Sequence, residues 1–184
     1  MDTVFIIAQI LGFGGMASFI ASYQCRSNHA LFICQTLGTI LFATQFIMLG
    51  GFSGCAILLI TLFRNVFLLN IDKKWASYKF WPVLVVALYI VATIFTYNGL
   101  ASLLPVVAMT ATTVGMWTRS GGKIRISNLF IACPAWIIYD VCFKSYFGIL
   151  SETFSIISIL ISIKRFGLKA LWDAETAEKP EMQQ

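Results

Sequence analysis

The chain has 184 residues, 59% hydrophobic and 11% charged, with a mean hydropathy of +0.84. Soluble domains carry about a quarter charged residues, so the composition excludes that class and indicates an integral protein of the lipid bilayer. The net charge of +5 does not indicate a nucleic-acid partner, because the basic residues lie between apolar runs and not along one face.

The first predicted helix is about Thr3–Ser22. It lacks a basic leader and opens after Asp2, so it reads as a retained helix, not a cleaved signal. Gly12, Gly15, Ser18 and Ser22 fall near one face, a small-residue surface for close packing within the protein or between two copies as a homodimer. The second helix is about Ala30–Leu49, followed by a compact turn, Gly50-Gly51-Phe52-Ser53-Gly54. The third is about Cys55–Asn70 and carries Arg64-Asn65. The loop 72–79 mixes lysines with Trp75 and Tyr78, as at a membrane–water interface. The fourth helix is about Phe80–Thr96 and the fifth about Ala101–Thr118, with Pro105 in its first turns. The loop 119–123 leads to the sixth, about Arg125–Phe143, and the seventh is about Ile149–Arg165. From Leu168 the tail is charged and reads as a short helix with a frayed end.

Seven spans put the termini on opposite sides. Under this assignment Arg26, Lys73, Lys74, Lys79, Arg119, Lys123, Arg125, Lys164, Arg165, Lys169 and Lys179 share one side, with Lys144 on the other. The positive-inside rule then predicts the N-terminus outside and the C-terminus in the cytoplasm. Sliding the chain by 94 residues superposes Gly54 on Gly148, Phe52 on Tyr146, Ser18 on Thr112 and Tyr23 on Trp117. The predicted fold class is therefore an all-α membrane protein of two parallel three-helix repeats joined by a linker helix (3+1+3). The units are 1–72, 73–98 (linker), 99–167 and a cytoplasmic tail 168–184. Such repeats place a site near the midplane between them.

Two resemblances follow from these residues. The 3+1+3 pattern resembles the SWEET and PQ-loop transporter superfamily. Nearly the whole chain resembles the YgjV family of bacterial inner membrane proteins, through Leu103-Leu104-Pro105, Trp136-Ile137-Ile138-Tyr139-Asp140, Glu152 and Ile163-Lys164-Arg165-Phe166. The family resemblance implies a multi-pass protein of the bacterial inner membrane. The SWEET-like resemblance implies a cavity lined by a Trp from the second helix of a repeat and an Asn from the third. Trp136 looks like the first, and Glu152 stands where the Asn is expected. Phe42 and Leu58 are the matching positions of the first repeat, and neither half has a Pro-Gln dipeptide.

The candidate site residues are Trp136, Tyr139, Asp140, Glu152, Asn65, Arg64 and Gln45. An ionised side chain at the centre of a spanning helix costs at least about 2.5 kcal/mol, so each such residue needs a reason to be there. Asp140 and Glu152 lie about equally deep on consecutive helices. If they face each other they hold a proton or cation together; otherwise Asp140 pairs with Lys144 at i+4 and Glu152 meets outside solvent. Arg64, about 15 Å below the end of its helix, either contacts an anion or acid in a central cavity or snorkels to the nearer surface, the commoner behaviour. Asn65 would bond a solute or bridge helices. Tyr139 and Gln45, 94 residues apart, would offer polar groups across the pseudo-axis. Ser151, Ser155, Ser158 and Ser162 share one helical face, which lines an aqueous path or, more commonly, packs closely.

There is no Ser/His/Asp set and no cysteine or histidine spacing for a metal, and His29 stands alone, so neither an enzyme nor a cofactor is expected. The cysteines read mostly as small apolar packing groups, with Cys55 and Cys142 near the same surface. The leading expectation is a carrier of an unknown small-molecule solute working by alternating access, with the acids suggesting a cation, an amine or proton coupling. The alternative is a non-transporting receptor, retention or assembly protein on the same bundle.

Overall fold

The structure is a computed structural model and describes residues 3–24, 28–70, 73–76, 78, 80–118 and 121–166. The tail from Leu168, together with Cys25, Arg26, Lys79 and Arg119, lies outside the described residues. Among the described residues seven helices form, and no strand: α1 (Thr3–Gln24), α2 (Asn28–Met48), α3 (Phe52–Leu69), α4 (Phe80–Phe95), α5 (Leu104–Trp117, entered through a 3-10 turn Leu100–Leu103), α6 and α7 (Tyr146–Phe166). α6 runs through three contiguous pieces, Gly121–Ser127, a π-helical stretch Asn128–Ala132, and Cys133–Cys142. Five of the helices are long and apolar enough to cross a bilayer, and the apolar stretches Ile33–Met48 and Phe80–Phe95 are shorter. Their outward faces carry exposed Ile10, Val83, Ile94, Phe130 and Ile161. An apolar exterior of this kind suits lipid contact.

The helices close a ring, with α1 on α2, α2 on α3, α3 on α5, α5 on α6, α6 on α7 and α7 back on α1, while α4 packs outside against α3 and α5. The core under the ring is built from Phe46, Ile57, Tyr89, Met109, Trp136 and Tyr139. The small face of α1 is used inside the chain. Gly12 meets Gln45, and a Cβ at Gly15 would lie 2.8 Å from the Phe42 ring.

Three boundaries differ from the sequence expectation. α3 and α7 each begin three residues earlier than predicted, so Gly54 and Gly148 lie inside first helical turns and do not end the connections. Their lack of a Cβ admits a neighbour: Tyr139 approaches Gly54, and Asp140 with Ser145 approaches Gly148. α6 begins at Gly121, within the predicted loop, where it packs close to Gly115 of α5, whose absent Cβ would stand 3.4 Å from Ile124 Cα.

The two short turns match bond for bond. In the first, Leu49 N–H bonds Gln45 O, Gly50 N–H bonds Ile47 O, Gly51 N–H bonds Phe46 O and Cys55 N–H bonds Gly51 O. In the second, Phe143, Lys144, Ser145 and Ile149 make the same four bonds to Tyr139, Val141, Asp140 and Ser145. Each pair is 94 residues apart. The helix C-terminus is closed in both by a left-handed residue, Gly50 (φ 79) and Lys144 (φ 55).

Candidate functional site

Within the ring lies a half-open cavity of about 550 Å³ that reaches from Asp140 and Gly148 near the short turns to Arg125 and Ser162 near the other end. One wall is aromatic: Phe19 stacks on Phe42 (centroids 5.8 Å apart) and Phe46 on Trp136 (5.9 Å). The opposite wall is α7, whose Ser151, Ser155, Ser158 and Ser162 all face the hollow. The serine stripe therefore lines the space, and the close-packing alternative for it does not hold. The four positions marked by the SWEET-like pattern, Phe42, Leu58, Trp136 and Glu152, all line this cavity.

Asp140 and Glu152 meet at the short-turn end. Glu152 lies beside the Cys133 thiol on the cavity wall, and its carboxyl is close enough to Asp140 to interact with it electrostatically. Asp140 is 2% exposed and its Oδ1 has no hydrogen-bond partner, the nearby Ser145 hydroxyl being turned to Gln45. The Asp140–Lys144 pair that the i,i+4 spacing allows does not form. Lys144 lies past the helix end in the left-handed turn, exposed, with its carbonyl accepting from Gln9 Nε2 (2.8 Å).

Tyr139 and Gln45 do not line the cavity; each crosses to the other turn. The Tyr139 hydroxyl accepts from Gly54 N–H (2.8 Å) and shares a hydrogen bond with Ser53 (3.0 Å) at the head of α3. Gln45, fully buried, accepts from Ser145 Oγ (3.4 Å) in the second turn. Residues 94 apart thus clasp turns 94 apart.

Arg64 and Asn65 also stand off the cavity. Arg64 is 3% exposed, so it does not snorkel, and it does not reach the acids either. Its Nε and Nη2 donate to Asn65 Oδ1 (3.3 and 2.9 Å) and its Nη1 to Thr113 Oγ1 (3.2 Å). The Tyr89 hydroxyl is near enough to interact with Arg64 electrostatically and is 3.1 Å from Thr61 Oγ1. The group ties α3 to α4 and α5 with every partner neutral.

Asn128 and Arg125 are cavity residues that sequence reasoning did not select. Asn128 Oδ1 lies 3.0 Å from Thr112 Oγ1, and Arg125 Nε donates to Ser162 Oγ (3.1 Å). The π stretch falls here: Cys133 N–H bonds Asn128 O, five residues back. Pro134 supplies the local reason, since a residue without N–H cannot complete the ordinary ladder, and a wide turn absorbs the mismatch. Pro134 was the available signal, though a proline alone does not say that the helix widens. Cys55 and Cys142 are both free thiols, one buried and one exposed. Among the described residues no group of three His, Cys, Asp or Glu side chains could hold a metal ion.

A family model described as a bacterial inner membrane protein, Imp-YgjV, matches residues 6–170. The chain belongs to this family. The match spans all seven helices and both short turns, so the cavity is built from the part of the chain that defines the family. No match to the chain was found among curated proteins or among solved structures, so the SWEET and PQ-loop resemblance is not confirmed.

Proposed function

We propose that this inner membrane protein carries a small solute across the bilayer through the central cavity, by rocking of α1–α3 against α5–α7 with α4 as the link. The observation that carries this is the placement of Asp140 and Glu152. Two carboxylates from different helices line one hollow inside the ring, and intramembrane charge is kept where a pathway needs it. Parallel repeats with a site between them are a transporter architecture. The bond-for-bond match of the two turns and the exchange of Tyr139 and Gln45 between them support reading α1–α3 and α5–α7 as repeats. Lys73, Lys74, Lys123 and Lys164 lie toward the end opposite the short turns, which favours that end as cytoplasmic and the N-terminus as outside.

The test is uptake into proteoliposomes of radiolabelled solutes grouped as cations, zwitterions, anions and neutrals. The expected result is saturable uptake of one class, reduced at least tenfold by Glu152→Gln. Absence of uptake for every class, in vesicles whose protein is shown to be folded, would refute transport and favour a receptor or assembly role.

A further inference from the structure

We propose, on the transport reading above, that the solute is a protonated primary or secondary amine with an apolar body, its N–H groups held by Asp140 and Glu152 and its body against Phe46 and Trp136. Three features of the cavity point to it together. First, Asp140 Oδ1 is buried on the cavity wall without a donor. An unpaired buried acceptor carries a cost that a ligand N–H removes. Gly148, also on the wall, is what makes room for it, because a Cβ there would collide with Asp140 and Ser145. The neighbouring Glu152 shares the wall with the Cys133 thiol.

Second, charge selects the sign of the ligand. Among the described residues no basic side chain stands beside the acids: Lys144 is exposed in the turn, and Arg125 is at the other end of the cavity, bonded to Ser162, fifteen residues before Asp140 and about 22 Å from it at the helical rise. Two carboxylates facing one hollow repel an anion and draw a cation. Third, the rest of the wall selects what kind of cation. A hard metal ion wants about six oxygens around it, whereas here the acids adjoin the stacked Phe46–Trp136 pair and, beyond it, Phe19 and Phe42. Carboxylates beside aromatic rings suit an ammonium group with an organic body. The unpartnered Oδ1 asks for a donor, which a quaternary ammonium lacks.

The experiment measures binding, separately from transport. The purified protein in nanodiscs is titrated calorimetrically with phenethylamine, cyclohexylamine and hexylamine. The matched alcohols, the matched carboxylates and the trimethylammonium derivatives serve as comparators. The expected result is saturable binding of the amines, with the alcohols and trimethylammonium compounds weaker by about tenfold or more, the value of one charge-assisted hydrogen bond. Asp140→Asn and Glu152→Gln each lose a comparable factor, while Thr153→Ala, exposed on the far side of α7, keeps wild-type affinity. Equal binding of amine and alcohol, amine binding undiminished in both acid variants, preference for the carboxylates, or binding by none of the amines would each overturn the proposal. Calorimetry and uptake fail independently. Amines that bind but do not cross leave this assignment standing and sink transport, and uptake of an anion without amine binding does the reverse.

Discussion

Replacing Tyr139 by Phe removes one oxygen atom and, with it, the contact that α6 makes with the head of α3. The first turn of any helix has backbone N–H groups without intrahelical partners. In α3 the residue at the cap position is Gly51, which has no side chain to accept them. The Tyr139 hydroxyl, fully buried, performs that service from another helix by accepting from Gly54 N–H and bonding Ser53 Oγ. The Ser53 hydroxyl can rotate toward another acceptor, but the Gly54 amide is fixed, and an unsatisfied buried donor costs about 1–3 kcal/mol. Together the two losses give an expected destabilisation of about 2–3 kcal/mol. The measurement is reversible SDS-induced unfolding of the purified protein in mixed micelles, followed by circular dichroism. A double-mutant cycle with Ser53→Ala should show a coupling of about 1 kcal/mol. Gly54→Ala should cost at least as much as Tyr139→Phe, because its Cβ would stand 2.6 Å from Tyr139 Cε1 and expel the ring. If Tyr139→Phe unfolds within about 0.5 kcal/mol of wild type, a range usual for surface changes, the cross-bundle cap is not an energetic link.

Arg64→Ala should destabilise by about 3 kcal/mol or more, since it strands Asn65 and leaves a cavity among α3, α4 and α5. Arg64→Lys should not recover the loss, because an ammonium cannot reproduce the fork to Asn65 and Thr113; full recovery in the same unfolding assay would contradict the geometry. Lys144→Gly should stabilise by about 0.5–1 kcal/mol, since the residue sits at φ 55, where its counterpart Gly50 is already glycine. In a cysteine-free background, Ser155→Cys and Ser158→Cys should react with a charged methanethiosulfonate at least tenfold faster than Ile157→Cys, which faces outward, with mass spectrometry as the readout. Equal rates would mean that the serine face is not wet. A cysteine in place of Lys144 should be labelled by an impermeant maleimide in intact spheroplasts; labelling only after lysis would reverse the proposed orientation.

Much of the helical order is legible in the sequence because membrane helices satisfy their own backbone and so appear as apolar runs. The residues that were misplaced share a physical reason. Gly54 and Gly148 read as turn residues because glycine commonly breaks helices, yet here each marks a close approach inside one, and the approaching groups, Tyr139 and Asp140, are far away in sequence. The serine stripe has the same i, i+4, i+7, i+11 spacing whether it lines water or packs on a helix, and only the shape of the ring decides. Arg64 reads as either a cavity contact or a snorkelling side chain because its acceptor Thr113 lies 49 residues ahead and carries no charge to announce it. By contrast Trp136, Asp140 and Glu152 stood out, since a carboxylate in an apolar run is costly wherever it points. What the sequence could not supply was the direction, and the ring supplies it. A carboxylate that faced lipid would need a partner on its own helix, and Asp140 has none in Lys144. Its counterpart 94 residues earlier is Phe46, an aromatic on the same wall. The position that carries an acid in the later stretch therefore carries a ring in the earlier one, and only the acid is costly in an apolar run.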